Sequence, residues 1–197
     1  MKKTAIITGS SSGIGAATAI ELSRRGFAVL INYSKSKEPA EKVAAKCKDA
    51  LVVQADVGDD AQCCKLAQAA LDKWGRIDAL VNNAGTTKFV KHADLEGLSA
   101  DDFLRIYRAN VVGPFQMMRA CAASLKAGKG AVVNVSSVAS LLGTGSSMAY
   151  AASKSAVPFY VQRSVYTLAL KPYLWFPVAT ANLLLPLEYG PAAIVGI

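Results

Sequence analysis

From its first residues the chain alternates short apolar runs with longer segments of helical periodicity, and this alternation restricts the fold more than any other feature. Thr4–Thr8, Ala28–Asn32, Ala50–Gln54, Ala79–Asn82 and Ala131–Val135 read as strands. Helices are expected over Gly13–Arg25, Pro39–Lys48 and Asp60–Trp74. A long one follows from Ser99 through Leu125, bent near Gly113-Pro114, and another begins at Ala149. The strands lack polar alternation, as they must when helices cover both faces of a sheet. Strands separated by helices pair in parallel, and right-handed crossovers bring their C-terminal ends to one edge. The expected class is therefore α/β, a doubly wound parallel sheet that takes its ligand where the strand order reverses.

The loop between the first strand and first helix reads Thr8-Gly9-Ser10-Ser11-Ser12-Gly13-Ile14-Gly15. Gly9 suits a tight turn, Gly13 a close approach of backbone to a pyrophosphate, and Gly15 close packing of helix on strand. The helix start offers unpaired N–H groups and a partial positive charge to phosphates. A strand, glycine loop and helix in this order give a Rossmann-like dinucleotide site, with Gly9, Ser11, Ser12, Gly13, Ile14 and Gly15 as candidate cofactor contacts.

This loop resembles the TGxxxGxG pattern of the short-chain dehydrogenase/reductase family at every fixed position. Further family marks follow in order: Asp56-Val57, Asn82-Asn83-Ala84-Gly85, Asn110, Asn134-Val135-Ser136-Ser137 and Tyr150-Ala151-Ala152-Ser153-Lys154. The resemblance covers residues 1–154 and implies a hydride transfer between a nicotinamide and a carbonyl or secondary alcohol of a small molecule. It implies Tyr150 as proton donor and acceptor, and Lys154 as the cation that lowers the tyrosine pKa and holds the nicotinamide ribose. Ser137 would hydrogen-bond the substrate oxygen, ahead of Ser136, and Asn110 would hold a water joining Lys154 to solvent. Asp56, Val57, Asn83, Ala84 and Gly85 are implied cofactor contacts, and a homo-oligomer is implied as well. The residues themselves support the pair: Tyr150 and Lys154 are four apart and share a helix face. A tyrosine hydroxyl, with a pKa of about 10, needs such a neighbouring cation to exchange protons near neutrality.

The end of the second strand bears on the choice of cofactor. NAD-binding domains place a carboxylate there for the ribose 2′-hydroxyl, whereas this chain has Asn32-Tyr33-Ser34-Lys35. With no acid to repel a 2′-phosphate, and with Lys35 or Lys37 to pair with it, NADP is favoured and NAD stays open. Asn32, Tyr33 and Ser34 complete the cofactor set.

Net charge is +8, but Lys and Arg form no dense run, which disfavours nucleic acid as partner. The four cysteines, Cys47, Cys63, Cys64 and Cys121, include no CxxC pair, and the one histidine, His92, is remote from them. That spacing argues against a metal site and a disulfide framework, and reduced thiols point to the cytoplasm. His92 reads as a solvated loop residue. The apolar run behind Lys2 and Lys3 is too short for a signal peptide. No segment has the roughly 18 uninterrupted apolar residues of a membrane span; Pro172–Leu187 is uncharged but broken by three prolines.

After Lys154 the character changes. Residues 155–197 hold five of the seven prolines and one acid, Glu188, with neither helical nor strand periodicity. Pro158 would break a helix interior. The expected division is a dinucleotide-binding and catalytic domain over 1–154 and a divergent, apolar, proline-rich tail over 155–197. A frameshift or truncation, a divergent substrate lid and a partner- or membrane-binding segment are the three readings of that tail. Where the tail supplies no strands, the fold is C-terminally incomplete and the site is expected to be impaired.

Overall fold

The computed structural model describes residues 2–91, 93–143 and 145–157, together with the backbone of 174–176 and 193–195. His92, Pro158 and most of the tail lie outside the described residues. A parallel sheet forms the centre. Its strands are β1 (Thr4–Ile7), β2 (Ala28–Tyr33), β3 (Ala50–Gln54), β4 (Ala79–Asn82), β5 (Ala131–Val135), β6 (Leu174–Phe176) and β7 (Ala193–Val195). Their order is β3-β2-β1-β4-β5-β7-β6, so the winding direction reverses between β1 and β4. This is the Rossmann-like arrangement, and the reversal opens a crevice at the strand C-termini.

The lack of polar alternation has a direct structural cause. On one face Ile6, Leu30 and Leu80 pack with Leu66, Met117 and Leu125, from α3 (Asp60–Trp74) and α5 (Gly113–Gly128). On the other face Ala5, Ile7, Val29 and Ile31 pack with Ala19 and Ala40, from α1 (Gly13–Arg24) and α2 (Lys37–Ala44). Register places Ile6 beside both Leu30 and Leu80, which keeps each layer continuous across the winding reversal.

Helix ends follow local chemistry. Asp59 caps α3 by accepting from the Gln62 N–H, and Gly75 closes it at φ 73°. Ser99 and Asp102 form a capping box on α4 (Ala100–Tyr107). At α1 the Ser12 side chain makes no cap and the first turn holds no acid.

Three features depart from the sequence reading. The long helix is divided just before Gly113-Pro114. One turn of wider, π-helical winding (Arg108–Val112) separates α4 from α5, and it carries Asn110. A short helix, α6 (Ala139–Leu142), follows β5 and was not expected; helix α7 spans residues 148–157. The tail adds backbone to the sheet: β7 pairs with β5 through Asn134↔Ile194 and Val135↔Val195, so that edge is partly covered, not open. Three-residue strands are too short to show a period, which is why the sequence did not reveal them. No helix among the described residues is long and apolar enough to cross a membrane.

Candidate functional site

Two cavities lie along the C-terminal ends of the strands and share Asn83, Gly85 and Thr86 as walls. The larger, about 930 Å³, runs from the glycine loop past the ends of β2 and β3. The smaller, about 460 Å³, contains Tyr150 and Lys154.

At two of its glycines the loop makes contacts that admit no side chain, while Gly13, at φ 55°, has open space where a Cβ would lie. Gly9 sits at φ 60°, and a Cβ there would lie 2.8 Å from Ala84 Cα. At Gly15 a Cβ would fall 2.6 Å from the Gly9 carbonyl oxygen and 2.5 Å from Asn83 Nδ2. The loop thus folds back against the start of its own helix and against the segment after β4. The expectation for Gly15 is sharpened: it packs on the loop and on Asn83. Ser11 and Ser12 line the larger cavity and Ile14 the smaller. With no side-chain cap on α1, its first-turn amides are available to an anion. A backbone cradle that a methyl group would fill, an uncapped helix start and a long adjoining cavity fit a dinucleotide.

Asn32 lines the larger cavity and also has a structural role. Its side chain is buried, its Oδ1 accepts from the Gly9 N–H at 3.0 Å, and its Nδ2 donates to Ala55 O at 3.0 Å and Tyr33 O at 3.2 Å. The amide holds the glycine loop against β2 and β3. Asn32, Tyr33, Ser34 and Lys35 all line the larger cavity, whereas Lys37 is paired with Glu41 at 3.0 Å. That pair raises the Lys37 pKa.

Asn83 is tied in the same way. Its Nδ2 donates to Thr8 O at 3.0 Å and Gly9 O at 3.1 Å, while Thr8 Oγ1 accepts from the Asn83 and Ala84 N–H groups. Asp56, Val57, Ala84 and Gly85 all line the larger cavity. The Asp56 carboxylate accepts from the Gly58 N–H at 2.8 Å. Two residues that the sequence reading missed also line it: Arg105 and Arg108, the latter donating from Nε to Gly58 O at 2.7 Å. Their place before Asn110 on one helix was the only signal available, and no motif marks it.

In the smaller cavity, Lys154 is buried and donates from Nζ to Val135 O at 2.9 Å. Burial pushes its pKa down to about 8. The ammonium lies 5.8 Å from the centre of the Tyr150 ring. The Tyr150 hydroxyl has no hydrogen-bond partner among the described residues. Asn110 is buried and fixed: it accepts from the Thr86 N–H at 2.7 Å and donates to Thr86 O at 3.0 Å and Ser153 Oγ at 2.9 Å. Gly85 separates Asn110 from Lys154, since a Cβ there would lie 3.3 Å from Asn110 Oδ1 and 3.5 Å from Lys154 Nζ. Ser137 is not among the residues lining this cavity, and its Oγ accepts from the Ala139 N–H at 3.2 Å. Ser136 lines the cavity, but its hydroxyl donates to Lys154 O at 3.0 Å. Tyr150, Lys154 and Gly85 are thus brought together, Asn110 stands one glycine away, and Ser137 is turned toward α6.

The short chain dehydrogenase family model matches residues 3–169. The chain belongs to this family. A protein named ketoacyl reductase 2 of the granaticin polyketide synthase, from Streptomyces violaceoruber, is 44% identical over 150 residues, which are 76% of this chain and 60% of that relative. The chain therefore spans about three fifths of the length of the curated relatives it matches. Among solved structures, a short-chain dehydrogenase/reductase from Burkholderia xenovorans superposes with TM-score 0.83 at 41% identity, covering 85% of this chain and 72% of that one. An alcohol dehydrogenase from Thermococcus sibiricus complexed with 5-hydroxy-NADP superposes with TM-score 0.79 at 26% identity, covering 89% and 75%.

Proposed function

We propose that this short-chain dehydrogenase is an oxidoreductase that interconverts a carbonyl and a secondary alcohol with NADP(H). The observation that carries the reading is adjacency: the cavity under the glycine loop shares the Asn83, Gly85 and Thr86 wall with the one holding Tyr150 and Lys154. The bound nicotinamide supplies or accepts the hydride. Tyr150 gives a proton to the substrate oxygen in reduction and takes it back in oxidation. The Lys154 ammonium, close to the phenol ring, favours the tyrosinate and holds the nicotinamide ribose. Ser137, whose oxygen accepts from the Ala139 N–H outside the cavity wall, would reach the substrate oxygen by turning its hydroxyl toward Tyr150. Asn110 positions a water that relays the proton from Lys154 outward.

NADP is favoured because Ser34 and Lys35 line the cavity at the end of β2, where no carboxylate stands. Arg105 and Arg108 add positive charge to the same cavity. Exposed Leu104, Val112 and Phe115 on the α4–α5 side support a homo-oligomer. Calorimetric titration tests the cofactor assignment. NADP(H) is expected to bind at least tenfold more tightly than NAD(H), and the reverse order overturns it.

A second reading, a dinucleotide-binding protein without turnover, is favoured by the orientation of Ser137. Thermal stabilisation by NADPH, with no NADPH consumed across a panel of ketones, would select it.

A further inference from the structure

The loop after β3, Asp56-Val57-Gly58, lines the larger cavity, and nearly all of its polar groups are bonded. The Asp56 N–H donates to Gln62 Oε1 at 2.7 Å, and the Asp56 carbonyl accepts from the Asp59 N–H at 3.0 Å. The Gly58 N–H donates to Asp56 Oδ1 at 2.8 Å, and Arg108 Nε donates to the Gly58 carbonyl at 2.7 Å. The Val57 carbonyl accepts twice, from Gln116 Nε2 at 2.8 Å and from Cys63 Sγ at 3.2 Å. Burial pushes the Cys63 thiol up to about 12, so it keeps the hydrogen that it donates. Among the described residues, the Val57 N–H and the second Asp56 carboxylate oxygen are the loop groups left without partners.

Gln116 lies on α5, is buried and lines neither cavity, so its amide meets a ligand only through this loop. Packing leaves the loop little slack. A Cβ at Gly113 would lie 2.8 Å from Val57 Cγ2, and one at Gly58 would lie 2.9 Å from Arg108 Cγ. The stretch from Arg108 to Gln116 thus grips the loop by two hydrogen bonds and two close glycine contacts. What the grip leaves is a donor on one residue beside an acceptor on the next. That pair matches an adenine edge, where N1 accepts and the 6-amino group donates. A hypoxanthine edge reverses both, with an N1–H and a 6-oxo group, and sets like against like. Such a mismatch is costly only where the protein groups are held in place.

We infer that Gln116 and Arg108 are positioning residues that set this loop to select an adenine base over hypoxanthine. The inference rests on the proposed dinucleotide-dependent reading and names what sets the base specificity of that site. The test is calorimetric titration of the full chain with NADPH and with its hypoxanthine analogue, beside thermal melts. The wild-type chain is expected to bind NADPH about tenfold more tightly than the analogue. Gln116→Met removes one donor from the Val57 carbonyl and leaves the Cys63 thiol bonded to it. It should weaken NADPH by about five- to tenfold and the analogue by less than about twofold, a loss of selectivity that a general loss of stability would not produce. Arg108→Leu changes an exposed side chain, so it carries the same test where the buried variant fails to fold. Its lost charge weakens both ligands alike, and the ratio between them should fall by at least about twofold. Equal weakening of both ligands by either variant, an unchanged ratio, or equal affinity of the wild-type chain for the two overturns the inference alone. Failure of both dinucleotides to bind the wild-type chain overturns the dinucleotide reading, and the inference with it.

Discussion

Under the glycine loop, backbone groups of three strand ends are fixed by two buried or half-buried amides: Asn32 ties Gly9 to β2 and β3, and Asn83 ties Thr8 and Gly9 to β4. Around Tyr150 the opposite holds. Loops 86–90 and 145–147 meet through a few contacts, and the Tyr150 hydroxyl has no hydrogen-bond partner among the described residues. The first half of the cleft is preorganised for a ligand gripped by backbone, and its side chains serve the fold. The second half leaves the Tyr150 hydroxyl without a hydrogen-bond partner among the described residues, as the proposed proton transfer requires. Substitutions in the two halves should therefore separate stability and cofactor affinity from turnover.

The largest expected effect lies in the second half. Tyr150→Phe should lower turnover by about 10²- to 10⁴-fold, the usual range for a lost proton donor, with melting temperature and NADPH affinity nearly unchanged. Steady-state rates beside a thermal melt check this, and a parallel loss of stability would erase the contrast. Next comes Gly9→Ala, where positive φ and the approach to Ala84 combine. It should cost about 1–3 kcal/mol of stability and abolish tight NADPH binding, read from urea unfolding and calorimetry. Asn32→Ala leaves the Gly9 N–H unpaired near the interior and should cost about 1–3 kcal/mol, with a moderate loss of cofactor affinity; if affinity falls while stability holds, Asn32 touches the cofactor after all.

Lys154 gives a subtler signature. Burial lowers its pKa to about 8, against about 10.4 in an unfolded chain. Between those values the unfolded chain holds a proton that the folded chain has released, so stability contributed by this group rises with pH across that window. Lys154→Met should flatten the rise in urea midpoint between pH 8 and 10; an unchanged slope would place the effect elsewhere. Smallest is Arg108→Ala, expected to weaken NADPH by a few-fold through an exposed cation, and less so at high salt.

The sequence by itself determined the strands through β5, the glycine loop, and Tyr150 and Lys154 on one helix face, because each depends on short-range spacing. Apolar runs too short to cross a domain twice, separated by helices, leave a doubly wound sheet as the economical way to bury both faces. Only the tertiary structure decided what individual polar groups do. Asn32 stands at the cavity as a candidate ribose contact, and only the fold shows that Gly9 and Ala55, from elsewhere in the chain, bond its amide. The wide turn at Arg108–Val112, and the place of Arg105 and Arg108 on the cavity wall, arise where α4 and α5 pass over the loops after β3 and β4. Hydrogen bonds between distant segments carry no period, so spacing could show which residues reach the cleft but not which atoms remain free once they arrive.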